Sequence, residues 1–223
     1  MTSPERTAVL ACAVFRDELD QLAPPGTRLV YLRQTLHRTP QHMAGEIQEE
    51  IDRIEPGSVD RVILAYGLCS NGIVGVRATR GRLLIPRVHD CIAIFLGSFH
   101  RYKEEQARAP GTYYLTPGWV REEKDPLGVI QEYAQRLSLE DAEWCMREEL
   151  KHYTRVALID TGITPVAPVR PRARENAEFF GLTYEELAGS TRFLESLFTA
   201  EPEEDFVVVE EGGVVTSEVF LGP

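Results

Sequence analysis

Short apolar runs alternate with helical segments along the chain as far as Gly162. The first run, Thr7–Phe15, is almost continuously hydrophobic, which is typical of a strand buried on both faces. Five later runs predict further strands: Thr27–Gln34, Val59–Gly67, Gly81–Arg87, Gly111–Gly118 and Arg155–Gly162. Helix starts are marked between them, for example by Thr39 before Pro40. This alternation predicts an α/β fold with an open, mostly parallel, Rossmann-like sheet flanked by helices.

The pattern changes after Gly162, where a proline-rich connector begins. Two helices are predicted beyond it, the second starting at a capping box formed by Thr183 and Glu186. The last apolar segment predicts a hairpin that turns at Gly212-Gly213 and serves as a lid or as an antiparallel edge of the main sheet. We therefore expect an α/β domain over residues 1–165, and a C-terminal extension over residues 166–223 that packs on the same domain.

Charge and hydropathy limit the range of partners. The 223 residues carry a formal net charge of −11, which argues against a nucleic-acid or anionic-membrane partner, because both bind basic surfaces. No run reaches the roughly 18 apolar residues of a membrane span, and the charged N-terminus does not resemble a secretory signal. The sequence thus predicts a cytoplasmic protein that acts on a small-molecule substrate. In that compartment the four cysteines are expected to be thiols or metal ligands and not disulfides.

Three of these cysteines lie where predicted strands end. Cys12 closes or interrupts the first strand, Cys69 follows the third and Cys91 follows the fourth, with His89 two residues before Cys91. Ligands bind beyond the carboxyl ends of strands in open parallel sheets, so these side chains are expected to converge there. Dispersed thiols and an imidazole suit an open catalytic metal site better than a closed zinc finger. Buried cysteine is also common core filler, and that reading stays open, above all for Cys12. Cys145, inside a predicted helix, is interpreted as structural.

The segment around His89 has two interpretations. Residues two apart share a side of an extended chain, so His89 and Cys91 could reach one metal ion together. In the alternative, Asp90 caps a helix that runs from about Asp90 to His100, and Cys91 is a thiol on its apolar face.

Further candidates lie near the same strand ends. Arg87 could bind a substrate carboxylate or phosphate, because guanidinium pairs bidentately with such anions. Tyr114 could form an aromatic wall of the pocket, or belong to the core. Asp160 could orient a ligand imidazole, or cap a turn.

Four segments in order resemble the signature segments of the DUF1638 family of uncharacterised bacterial and archaeal proteins. They are LAYGLCSNG, IPRVHDCIAIFLGS, GTYYLTPGW and IDTG, and the resemblance spans roughly Val9 to Gly162. It implies an association with corrinoid-dependent methyltransferase systems, and hence with one-carbon metabolism. His89-x-Cys91 with a further thiol is also similar to the zinc site of cobamide-dependent, thiol-alkylating methyltransferases.

Three functional hypotheses follow. The first is an enzyme of one-carbon or sulfur metabolism in which zinc, held by Cys69, His89 and Cys91 with Cys12 as a possible fourth ligand, activates a small substrate such as a thiol. The second is an enzyme of desulfidase or dehydratase type with a 4Fe–4S cluster on Cys12, Cys69 and Cys91. The third is a protein without catalytic activity that binds a corrinoid or a metal for a methyltransferase, although the usual D-x-H-x-x-G signature is absent.

Overall fold

A computed structural model describes residues 6–199 and 205–220 of the chain. It confirms the α/β class and a mostly parallel central sheet. The chain forms two compact units: the described residues up to Ile94, joined by those from Arg192 onward, and residues 95–191. These units do not coincide with the predicted division at 165/166, because the C-terminal residues return to the first sheet.

The first unit is built on a five-stranded sheet with the order β2-β1-β3-β4-β8. Its strands are β1 (Thr7–Cys12), β2 (Arg28–Leu32), β3 (Arg61–Ala65), β4 (Arg82–Pro86) and β8 (Phe206–Val209). The four N-terminal strands are parallel, and β8 pairs antiparallel with β4. Every residue of β3 is buried, as expected for a central strand covered on both faces.

The first unit contains the helices α1 (Arg16–Leu22), α2 (Pro40–Asp52) and α9 (Arg192–Thr199), and helix α3 (Cys91–Leu96) begins in it. Helix α2 starts at Pro40 as predicted, and it buries Met43, Ile47 and Ile51 on one face. The connection from β3 to β4 contains no helix, so a loop directly follows β3. A second loop, residues 87–90, directly follows β4 and leads into α3.

The second unit contains a three-stranded parallel sheet with the order β5-β6-β7. Its strands are β5 (Thr112–Leu115), β6 (Arg155–Asp160) and β7 (Thr183–Ala188), and its helices are α4 (Phe99–Arg108), α5 (Pro117–Arg121), α6 (Pro126–Tyr133), α7 (Leu139–Leu150) and α8 (Arg170–Phe180). Cys145 is partly buried within α7. At the amino end of β6, the buried Arg155 binds Thr112, Glu105 and Glu185.

One prediction for the C-terminal half was wrong, and another was confirmed only in part. The segment that begins with Thr183 and Glu186 is strand β7 and not a capped helix. The expected hairpin at Gly212-Gly213 does turn there, but its first arm pairs with β4 and its second arm forms one bridge, from Val214 to Arg77. The expected antiparallel edge on the main sheet is confirmed. Within the described part of the chain, no helix has the length and apolar character needed to cross a membrane.

Candidate functional site

Three cysteines lie at the carboxyl edge of the first sheet, one beyond or at the end of each of three neighbouring strands. Strand β1 ends at Cys12 itself, so Cys12 lies at the carboxyl end of its strand and not in the middle of it. Cys69 lies in the loop after β3, and Cys91 is the first residue of α3 after β4. Because β1, β3 and β4 are adjacent and parallel, their carboxyl ends share one edge.

The loops after β3 and β4 are bound to each other. The amides of Leu68 and Cys69 donate to the carbonyls of Val88 and His89, each at 2.9 Å. A Cβ added to Gly67 would lie 2.7 Å from both the Cα and the N of Asp90, closer than real Cβ contacts. Glycine at position 67 therefore allows the two loops to touch, and this contact brings Cys69 beside the segment that carries Cys91.

The Cys69 loop has an unusual backbone. Cys69, Ser70 and Asn71 have φ angles of 48°, 57° and 65°, so three consecutive residues with side chains lie in the left-handed region. This conformation costs roughly 1–2 kcal/mol per residue for most amino acids. Strain of this kind persists only where the surrounding structure imposes it, and it is concentrated at functional sites. Here it fixes the direction in which Cys69 leaves the sheet.

The three thiols interact electrostatically. Burial, followed by the nearby Cys12 and Asp90, raises the pKa of Cys69 to about 12. The pKa of Cys91 is also raised well above its ordinary value. Burial is the main cause, and Cys69, Asp90 and Cys12 add to it in that order. The charged groups that shift Cys69 and Cys91 are all acidic, so these two thiols are protonated at neutral pH. A cation bound among them would reverse this balance and release their protons.

Tyr66 is a member of the site that sequence reasoning missed. It directly follows β3, only 3% of it is exposed, and its hydroxyl has no hydrogen-bond partner among the described residues. Burial raises its pKa, and so do the three thiols and Glu46. A buried hydroxyl without a partner costs about 1–3 kcal/mol and calls for an explanation, such as a ligand that satisfies it. The feature of the sequence that could have indicated this role is a tyrosine placed between a buried strand and a glycine.

His89 contributes to this arrangement through its backbone. Its carbonyl accepts the hydrogen bond from Cys69, whereas the residue as a whole is exposed. Asp90 acts as the predicted helix cap, since its Oδ1 accepts from the amide of Ile92 at 2.9 Å. The structure thus brings the three thiols together and leaves the His89 side chain at the surface.

The other predicted site residues have structural contacts. The two terminal guanidinium nitrogens of Arg87 donate to the carbonyls of Val219 (2.8 Å) and Phe206 (3.1 Å), which holds the C-terminal segment against β4. Tyr114 is buried in β5 of the second unit. Asp160 ends β6 in the same unit and accepts from the amide of Gly162 at 2.9 Å, as in a turn cap.

The described side chains are not spaced for a single metal ion. Within residues 6–199 and 205–220, no group of three or more histidine, cysteine, aspartate or glutamate side chains is placed to hold one. Zinc binding by Cys69, His89 and Cys91 therefore stays a prediction, and it would require these side chains to move closer together.

Comparison with known proteins gives a family but no activity. A family model described as "Protein of unknown function (DUF1638)" matches residues 31–198. The match extends past Gly162 through the proline-rich connector, and it includes Cys69 and Cys91 but not Cys12. The searches of curated proteins and of solved structures gave no match. Because the matched residues make up most of the sequence, the chain belongs to the DUF1638 family.

Proposed function

We propose that this protein is a metal-dependent enzyme that holds a 4Fe–4S cluster on Cys12, Cys69 and Cys91 and acts on a small molecule. One observation carries the proposal: three thiols from three strand ends interact with one another at the carboxyl edge of the sheet, where open α/β sheets bind ligands. Iron–sulfur clusters are held by cysteine thiolates.

A cluster suits this site better than a single ion for two reasons. Each thiolate of a cluster binds a different iron, so the sulfurs lie farther apart than around one zinc ion. This fits three thiols that influence each other electrostatically without forming a mononuclear site. The charged groups that shift Cys69 and Cys91 are also acidic, and Asp90 adds to the demand for a cation.

Three cysteine ligands would leave one iron of a bound cluster open to a substrate oxygen or sulfur, the chemistry of a dehydratase or a desulfidase. The role of the chain is then to position the substrate. The Tyr66 hydroxyl, buried and unpartnered among the described residues, would donate a hydrogen bond to a substrate atom there. The left-handed loop would hold Cys69 in position during turnover.

Zinc is the second candidate. The observation in its favour is the hydrogen bond from Cys69 to the carbonyl of His89, which holds the His89–Cys91 segment next to Cys69. Rotation of the exposed imidazole toward the thiols would then complete a site with two or three sulfur ligands, able to bind a substrate thiol. Corrinoid binding without catalysis, the third hypothesis, has no comparable observation in its favour.

Single substitutions separate these candidates. After anaerobic reconstitution with iron and sulfide, we expect the wild type to bind about four irons per chain and to show broad visible absorbance. Cys12→Ser, Cys69→Ser and Cys91→Ser should each lose most of this iron and colour, because three ligands are the minimum for the site. The matched control, Cys145→Ser in α7, should retain both.

His89→Ala distinguishes the two metals. With a cluster on three thiols, this variant should bind as much iron as the wild type, since the imidazole is exposed. A colourless wild type that holds about one zinc ion, lost in His89→Ala, would instead establish the zinc site. Iron binding that survives all three cysteine substitutions would refute the cluster, and zinc binding that survives them would refute the zinc site.

A further inference from the structure

A second buried polar group at the carboxyl edge of the first sheet has no partner. Gln34 begins the 3-10 helix Gln34–Arg38, which follows β2, so it lies at the same edge as the three thiols. It is 4% exposed, and its Oε1 accepts no hydrogen bond from any described residue. Folded proteins rarely leave a buried acceptor unsatisfied unless water or a ligand supplies the donor. With the Tyr66 hydroxyl, this edge therefore presents one acceptor and one donor that the described chain does not use.

The register of the strands puts these two groups on either side of Cys12. Cys12 pairs with Leu32 of β2, and the register of β1 with β3 places Tyr66 beside Cys12 on the other side. Gln34 is two residues beyond Leu32, and the intervening Arg33 has extended backbone, with φ −59° and ψ 140°, so Gln34 and Leu32 share a side of the chain. The two backbones are two strand spacings apart, or roughly 10 Å. Side chains of this length can contact one small molecule between them.

Helix α2 provides a second connection between the two groups. Its Glu46 forms an ion pair with Arg33, the residue before Gln34. The same carboxylate lies close enough to Tyr66 to raise its pKa, after the larger effects of burial and of the three thiols. One side chain therefore interacts both with the segment that carries Gln34 and with Tyr66, which supports their being neighbours in the fold.

The charge of the site limits what could bind between them. The charged groups that shift the pKa values of Cys69 and Cys91 are all acidic. A ligand carboxylate or phosphate would add a further negative charge to this buried, acidic place, at a high cost of desolvation. A neutral alcohol or amide adds no charge, and it can donate to the Gln34 oxygen while accepting from the Tyr66 hydroxyl.

We propose that Gln34 and Tyr66 position an uncharged small substrate that carries an O–H or N–H donor beside the oxygen or sulfur atom bound by the open iron. Gln34 Oε1 accepts from that donor, and the Tyr66 hydroxyl donates to the atom at the iron. This role rests on the proposed function, and it limits the substrate class: neutral alcohols and amides fit, whereas carboxylates and phosphates do not.

Titration of the full chain with acetamide, followed by NMR of the glutamine side-chain amides, tests the proposal. Acetamide offers an N–H donor and a carbonyl oxygen, N,N-dimethylacetamide lacks the donor, and acetate has nearly the shape of acetamide but a negative charge. We expect a saturable shift of the Gln34 resonance with acetamide. The other two compounds should bind at least about tenfold more weakly, a loss typical of one hydrogen bond or of an unfavourable charge.

Two variants remove the unpartnered groups and nearly keep the size of each side chain. Gln34→Met and Tyr66→Phe should each weaken acetamide binding by about tenfold or more, measured from the backbone amides of the neighbouring loops. Their melting temperatures should rise by about 2 °C or more, because an apolar group replaces a buried polar group without a partner. The matched control is Gln41→Met in the exposed first turn of α2, which should bind acetamide as the wild type does.

Iron uptake distinguishes failure of this role from failure of the cluster. Both site variants keep the three thiols, so each should take up as much iron as the wild type. A wild type that takes up iron but shows no saturable shift with acetamide overturns the role and leaves the cluster intact. A wild type that binds acetamide at Gln34 but takes up no iron refutes the cluster alone.

Three further results would also overturn the role. The first is acetate binding as tightly as acetamide. The second is a loss of binding in Gln41→Met as large as in the two site variants. The third is a lower melting temperature in both site variants, since Gln34 and Tyr66 would then serve the fold and not a ligand.

Discussion

Gly67→Ala is expected to separate Cys69 from Cys91 and to abolish the proposed metal binding. The added Cβ would lie 2.7 Å from two backbone atoms of Asp90, and backbone cannot rotate away as a flexible side chain can. The loop after β4 must therefore shift, which breaks the hydrogen bond from Cys69 to His89. We expect the free energy of unfolding to fall by about 2 kcal/mol or more, the range of overpacked interiors. Iron uptake on reconstitution should fall to the level of the cysteine variants.

Gly45→Ala is the matched control. Gly45 is exposed within α2, and its added Cβ would meet nothing within 4 Å, so alanine should stabilise the helix by up to about 1 kcal/mol. Denaturant unfolding and iron content of both variants check the pair. If Gly67→Ala retained wild-type stability and iron content, close contact between the two loops would not be what forms the site.

Arg155→Met should be the most destabilising substitution in the second unit. The Arg155 side chain is 6% exposed and forms ion pairs with Glu105, at 3.0 Å, and with Glu185. It also donates to the Thr112 hydroxyl at 2.9 Å. Removing one partner of a buried ion pair costs about 3–5 kcal/mol. We expect roughly 3 kcal/mol, the lower end of that range, because Glu185 is partly exposed and Arg108 still neutralises both carboxylates. Arg108→Met, whose side chain is 50% exposed, should cost less than about 1 kcal/mol.

The pH dependence of the difference in stability between the wild type and Arg155→Met provides a further check. Burial alone would raise the pKa of Glu105, but the hydrogen bonds from Arg108 and Arg155 outweigh burial and lower this pKa. The pKa of Glu185 is also lowered, mainly by its hydrogen bond from Arg155. Lowered carboxyl pKa values stabilise the fold above the ordinary pKa of 4.5, and this contribution is lost as the pH falls through the folded-state values. The stability gap between wild type and Arg155→Met should therefore narrow on acidification. A gap that stays constant down to about pH 3 would contradict the ion-pair explanation.

The strands of the first sheet could be predicted because burial on both faces leaves a plain apolar signal. Their ends were less clear. The first apolar run continues to Phe15, yet β1 stops at Cys12, since Ala13–Phe15 form a buried 3-10 turn that is as hydrophobic as the strand. Hydrophobicity reports burial, and it does not separate a buried strand from a buried turn.

The C-terminal half was harder to predict because its pairings are distant in sequence. The residues from Thr183 carry a local helix-capping pattern, but pairing along β6 overrides it. Strand β8 joins β4 across more than a hundred residues, so nothing local shows which edge it takes. The long return of the chain also explains why the compact units differ from the predicted division.

At the candidate site, sequence reasoning identified the three thiols from the rule that ligands gather at strand ends. The sequence alone could not show in which direction each side chain leaves its loop. His89 and Cys91 were expected to project together from an extended chain, but helix α3 begins at Cys91, and His89 is exposed. Tyr66 and Gly67 were overlooked because their roles depend on a neighbouring loop that follows a different strand.

The proposed cluster on three thiols is tested most directly by the metal content and visible spectrum of the wild-type protein purified without oxygen. We expect a brown protein that contains iron and acid-labile sulfide in equal amounts, with the colour absent from Cys69→Ser prepared in the same way. A colourless wild type that contains no iron, and takes up none on reconstitution, would contradict it.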